Sequence, residues 1–110
     1  MLLSTDIWVT ALIRRAETGG AFGVVARKGD PRAGAVLVKV LNRTDGTARL
    51  YSEATRLDGE RVWMEPATSH DEPDLDRYIE RALRIDPDIW VVEIEDKAGR
   101  HFLTEPVERS

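Results

Sequence analysis

The chain has no cysteine, which excludes disulfide scaffolds, thiol catalysis, iron–sulfur clusters and cysteine-based zinc sites. Histidine is nearly as scarce, with two residues in 110, so a metal centre has little to draw on. Low-complexity tracts are missing. The opening stretch MLLSTDIWVTALIRR lacks a basic start, and Asp6 breaks its apolar character. Neither a signal peptide nor a membrane span is therefore expected, and the expected compartment is the cytoplasm. What is present is 42% hydrophobic and 33% charged, the composition of a globular domain with a heavily charged surface. Its length fits one domain over residues 1–110, large enough to bury roughly two-thirds of its unfolded surface.

The formal net charge of −4 hides an asymmetry. Residues 1–50 hold eight Lys/Arg against four Asp/Glu, and residues 51–110 hold eight against sixteen. If the halves segregate in space, one pole is basic and the other acidic; if they interleave, the asymmetry disappears.

Between residues 6 and 18, Trp8, Ala11, Leu12 and Ala16 approach helical spacing, and Gly19-Gly20 supplies a stop. Ile7, Val9, Ala11 and Ile13 also alternate as a strand would, so a helix is the preferred reading and a strand the rival. The period is then two. AFGVVARK (21–28), AVLVKVLN (35–42), ARLYSEAT (48–55) and RVWMEP (61–66) are parted by GDPRAG, RTDG and DG, which predicts an antiparallel meander of four strands. AVLVKVL is apolar on both faces apart from Lys39, which predicts a central position. Leu75, Tyr78, Ile79, Ala82 and Leu83 form one helical stripe, with Asp71 as candidate N-cap, acids in the first turn and Pro87 beyond the end. A strand over 89–96 and a short return strand through His101, Phe102 and Leu103 complete the pattern. The predicted class is α+β: a mostly antiparallel sheet of five to six strands with two helices packed on one face.

WVTALIRRAE, GDPRAGAVLVKV and IDPDIWVVEIEDKAGRHFL together resemble the small bacterial domain-of-unknown-function family numbered 1491, over nearly the whole chain. The resemblance implies a stand-alone domain of about this length. It carries over no assigned activity and no catalytic residues.

The chemistry-bearing residues are few. Glu95 and His101 are the weak catalytic candidates, and their relation depends on hairpin register. A two-residue loop at Lys97-Ala98 places His101 beside Trp90. A three-residue loop with Gly99 left-handed pairs Asp96 with Arg100, Glu95 with His101 and Ile94 with Phe102, and this register is preferred because it keeps Phe102 in the core and opposes unlike charges. It also predicts a raised His101 pKa. His70, Asp71, Glu72 and Asp74 read as helix-cap and dipole partners rather than metal ligands, and GDPRAG reads as a plain turn because no Lys-Ser/Thr follows its glycines. Trp8, Trp63 and Trp90 read as core, with an interface role open for one of them.

Arg14, Arg15, Arg27, Lys28 and Arg32 are the candidate binding residues, forming a patch if the end of the first helix and the first turn lie together. The functional expectation is a binding or protein-interaction domain without catalysis, taking a protein partner or a second copy of itself. No cofactor, metal or membrane is expected, and a pI near 5.2 with no interleaved aromatics argues against nucleic acid. The alternatives are a small hydrolase-type enzyme using Glu95 and His101, or a weak nucleic-acid binder through the basic patch.

Overall fold

The structure, a computed structural model, describes residues 3–108. Two helices, α1 (Thr5–Thr18) and α2 (Glu72–Ile85), accompany six strands: β1 (Phe22–Arg27), β2 (Val36–Asn42), β3 (Ala48–Thr55), β4 (Arg61–Met64), β5 (Trp90–Asp96) and β6 (Val107–Glu108). They form one mixed, mostly antiparallel sheet in the order β1-β5-β2-β3-β4-β6. The α+β class is as the periodicities predict, and the helical reading of α1 holds over its strand rival. Arg15 and Glu17 carbonyls accept the Gly19 and Gly20 amides at the end of α1, where Gly20 takes a positive φ.

The four-strand meander is corrected to three. β2, β3 and β4 run consecutively, but β5 enters between β1 and β2, antiparallel to the first and parallel to the second. The reason lies in both partners. Trp90, Val91, Val92 and Ile94 are all buried, and a strand apolar on both faces belongs inside a sheet. The segment between β1 and β2 folds away over the start of α1, where Thr5 and Asp6 amides donate to the Arg32 and Pro31 carbonyls at 3.2 and 3.0 Å. The return strand through residues 101–103 is also corrected: that stretch leaves the sheet, and the chain rejoins it at β6, parallel to β4.

The helices lie on opposite faces rather than on one. Trp8, Val9, Leu12 and Ala16 of α1 pack with Val36, Val38, Val40, Val92 and Ile94. Leu75 and Ile79 of α2 pack with Leu37, Leu50 and Val91 from the other side. Alternate residues of β2 thus feed two separate apolar clusters, so each face of the sheet needs its own cover. Lys39 is the exception inside β2. Its ammonium is buried but reaches Glu72 at 2.8 Å, Asp76 at 2.7 Å and Glu93 at 3.5 Å. Burial by itself would push its pKa down; these three carboxylates more than offset that and hold it above its ordinary value. Lys39 and Arg49 both pair with acids from beyond residue 50, so the two sequence halves interleave in space.

Candidate functional site

The segment after β5 builds the site. Asp96 is fully buried, and its carboxylate accepts from the Ala98 and Arg100 amides at 3.1 and 2.9 Å and from Arg100 Nε and Nη2 at 3.0 and 2.8 Å. Gly99 takes a φ of 71°, so the tight loop with a left-handed Gly99 and an Asp96–Arg100 pair is present. Beyond it the hairpin does not form. Arg100 Nη2 donates to the Gly19 carbonyl at 3.0 Å, drawing the chain toward the end of α1 and off the sheet.

Phe102 then adopts a φ of 61°, a left-handed conformation that is a genuine outlier for a bulky residue. Two contacts hold it there. Its carbonyl accepts Arg15 Nε at 3.1 Å, and its ring lies so close to Gly19 that a Cβ at that position would come within 2.4 Å of it. The Arg100 guanidinium stands 4.9 Å from the ring centroid, a cation–π distance. Further on, Glu105 accepts the Trp63 and Trp8 indole N–H groups at 3.0 and 3.3 Å, and the two indoles stack at 5.3 Å. One carboxylate thereby pins the C-terminal segment to α1 and β4 together.

Between this segment and the outer side of α1 runs an open groove of about 900 Å³. Ile7, Ala11 and Phe102 give it apolar walls, and Arg14 and Arg15 line it, with Thr18 and Gly19 beyond them at the far end. Ile7, Ala11, Arg14 and Thr18 recur at i, i+4, i+7 and i+11, which makes an outward stripe along α1. Ile7 is 53% exposed. Arg15 Nη2 is buried without a hydrogen-bond partner. Asp6, at the near end, is already engaged by Ser4 Oγ and the Ile7 amide at 2.6 and 2.8 Å.

The family model described as "Protein of unknown function (DUF1491)" matches residues 3–104. The chain belongs to the DUF1491 family. Among solved structures, it is similar to a crystal structure of a DUF1491 family protein from Caulobacter crescentus CB15, with 78% identity over 97% of this chain and 100% of that one and a TM-score of 0.95. An NMR structure of a DUF1491 family protein from the same organism gives 79% identity over 98% of each chain and a TM-score of 0.92. A solution structure of protein Atu0922 from A. tumefaciens gives 34% identity over 96% and 95% and a TM-score of 0.82. No curated protein matches the chain.

In this DUF1491 chain the Glu95–His101 pair is not assembled. Glu95 lies in register with Phe22 and Leu41, on the face where Glu93 meets Lys39. His101 packs edge-on against Tyr51 at 5.1 Å, and Tyr51 belongs to the apolar cluster under α1. The sheet separates them. What accompanies His101 instead is Glu65, whose carboxylate accepts Arg49 Nη1 at 2.9 and 3.1 Å and lies 3.9 Å from His70 Nε2. Nothing in the linear spacing of residues 49, 65, 70 and 101 announces this grouping, because Arg49 is in β3 while Glu65, His70 and His101 come from segments outside the strands. Among the described residues no three His, Cys, Asp or Glu side chains group as a metal site requires.

His101 Nδ1 accepts the Leu103 amide at 2.9 Å, which leaves Nε2 to carry the proton of a neutral ring. Burial pushes the imidazole pKa below its ordinary value of 6.5, with Glu65 opposing the shift. The direction is opposite to the hairpin expectation, since the expected Glu95 neighbour is on the other face. In the window below 6.5 the unfolded chain binds more protons than the folded one. His101 therefore costs no stability above that value, and stability falls as pH drops through it. An NMR titration should give a depressed His101 pKa. A raised one would mean that the ring is solvated beside a carboxylate.

The five candidate cations do not form one patch. Arg14 and Arg15 line the groove. Arg32 sits where its carbonyl caps Thr5, and Lys28 shares a second hollow with Asp6, Val25 and Pro31, so both stand at the opposite end of α1, roughly 15 Å away at helical rise. Arg27 donates to the Pro87 carbonyl at 3.0 Å. The sequence singled out Arg14 and Arg15 by charge, but it missed Ile7 and Phe102, because a groove wall made by an irregular segment has no periodicity.

Proposed function

We propose that this chain is a non-catalytic binding domain, acting in the cytoplasm, that docks an acidic and partly apolar segment of a protein partner in the groove between α1 and Phe102. One observation carries the reading. The outward stripe of α1 sets exposed Ile7, with Ala11, opposite Phe102 across an open groove, and the exposed Arg14 side chain stands in its lining. A partner carboxylate would pair with Arg14 through a charge-assisted bond, while Ile7, Ala11 and Phe102 take apolar side chains beside it. Arg15 adds a second cation to the lining, so the groove's charge complements an acid. The strained Phe102 backbone supports the same reading, because strain tends to persist where a surface is shaped for binding. The separation of Glu95 from His101 removes the geometric basis for the hydrolase alternative, and the division of the cations weakens the nucleic-acid one.

A fluorescently labelled amphipathic helical peptide of leucine and glutamate tests this, with its leucine and lysine counterpart as the comparison. The acidic peptide should bind, and Arg14→Gln or Ile7→Asp should weaken binding at least about tenfold, or 1.4 kcal/mol. Failure of the acidic peptide to bind, equal binding of both peptides, or variants that bind as well as the parent overturn the proposal.

A further inference from the structure

A second surface lies on the other flank of α1, beyond Ile13, which packs on Gly23 of β1. β1 is an edge strand, hydrogen-bonded to β5 on one side. Such an edge offers a row of backbone donors and acceptors to any strand that reaches it, and folded proteins usually blunt it with charge, proline or cover. Here the stretch FGVVA carries neither charge nor proline. Phe22, Val24 and Val25 are 56%, 39% and 41% exposed. A bulge between Val25 and Arg27 ends the regular ladder, and the basic pair Arg27-Lys28 follows directly.

We propose that β1 pairs antiparallel with β1 of a second copy, about a two-fold axis at Val24, joining the two sheets into one. The pleat puts the axis through a residue rather than between two, and Val24 is the middle of the stretch 22–26. Phe22 and Val24 lie opposite Glu95 and Glu93 and so share the face that carries α2, while Gly23 and Val25 share the face of α1. Opposed residues in an antiparallel pair must point to the same face, which an axis through Val24 satisfies: Val24 meets its own copy, Gly23 meets Val25, and Phe22 meets Ala26. The contact is isologous and closes as a dimer. Val24 and Phe22 of both copies then form one apolar strip on the α2 face.

Charge complementarity selects a second copy as the occupant. Arg27 opposes Val91 across the bulge, which puts it on the α2 face as well, at the end of β1 away from Phe22. Antiparallel pairing carries Arg27 of one copy to the Phe22 end of the other, where Glu95 is the next residue across on β5. Two strand spacings separate them, roughly 10 Å between backbones, within the combined reach of an arginine and a glutamate once Arg27 releases the Pro87 carbonyl of its own chain. The pairing repeats at both ends, so each dimer has two such charge pairs. Glu95 thereby has a role as a specificity group at an interface.

Sedimentation of the full chain over a concentration series tests the dimer. We expect a concentration-dependent monomer–dimer equilibrium that weakens with salt. Val24→Lys places like charges on the axis and should weaken the dimer at least tenfold, whereas Val24→Thr keeps a β-branched residue and should leave it largely intact. Arg27→Glu and Glu95→Arg should each weaken it, and the double exchange should restore it. Circular dichroism of each variant separates loss of pairing from loss of fold. A chain that stays monomeric at the highest attainable concentration, a dimer indifferent to Val24→Lys, or charge variants without mutual rescue overturns the proposal. The peptide-binding result at the α1 groove is independent of all of these outcomes.

Discussion

Replacing Trp63 with alanine should destabilise the domain by about 3–5 kcal/mol, the range for deleting a large buried aromatic side chain. Trp63 is fully buried, so the loss includes both its transfer from water and the cavity left behind. Two further contacts go with it: the stack on Trp8 at 5.3 Å and the indole donor to Glu105 at 3.0 Å. Glu105 would keep only the 3.3 Å bond from Trp8. The C-terminal segment, with Phe102 and its groove wall, should therefore loosen before the sheet does. Trp63→Phe retains most of the apolar contact and should cost clearly less. Denaturant melts measure both, and a cost below about 1 kcal/mol for the alanine variant would mean that the Trp8–Trp63–Glu105 cluster does not anchor the segment.

The second large effect is expected at Asp96. Asp96→Ala should cost about 3 kcal/mol, because it strips the acceptor from the Ala98 and Arg100 amides and removes the carboxylate partner of the Arg100 guanidinium, which keeps only the Gly19 carbonyl as acceptor. Arg100 is itself partly exposed, which keeps the figure toward the lower end of what a fully buried pair would give. The charge makes a pH prediction as well. The Arg100 hydrogen bonds, reinforced by the two amides and opposed by burial, hold the Asp96 carboxyl below its ordinary 3.8. A depressed carboxyl contributes stability that is present above the unfolded value and is lost as pH falls through the folded one. The difference in stability between the parent and Asp96→Asn should therefore shrink below pH 3.8. A difference that stays constant down to strong acid would mean that Asp96 acts by shape alone.

Local pattern carried part of this structure plainly. The stripe of Leu75, Ile79 and Leu83 marks α2 because the helical period is written within one element, and the both-sided apolarity of AVLVKVL marks β2 as central for the same reason. Buried positions for Trp8, Trp63 and Trp90 follow from their size. The placement of β5 between β1 and β2 was only half legible: the run Trp90, Val91, Val92 signals burial on both faces, but no local feature says which strands supply the neighbours. The same both-sided apolarity of β2 contains the reason for helices on opposite faces, although it becomes decisive only once the two clusters are seen. Residues 97–106 were the least legible. Gly99 and the Asp96–Arg100 pair were readable as turn chemistry, whereas the exit of the chain toward Gly19 depends on Arg15, Trp8 and Trp63, all distant in sequence. The groove inherits that illegibility. Its cations stand out in the sequence; Phe102, its far wall, reads as core in the preferred three-residue-loop register.

The central claim concerns that groove, and an isotope-edited NMR titration of the full chain with the leucine and glutamate peptide tests it most directly. The predicted result is a contiguous set of shifted signals at Ile7, Ala11, Arg14, Gly19 and Phe102, including the Arg14 side-chain Nε–H, with β1 and the surroundings of Glu65 and His70 unaffected. Shifts centred on His101, Tyr51 and Glu65 instead, or no saturable shifts at α1, would contradict it.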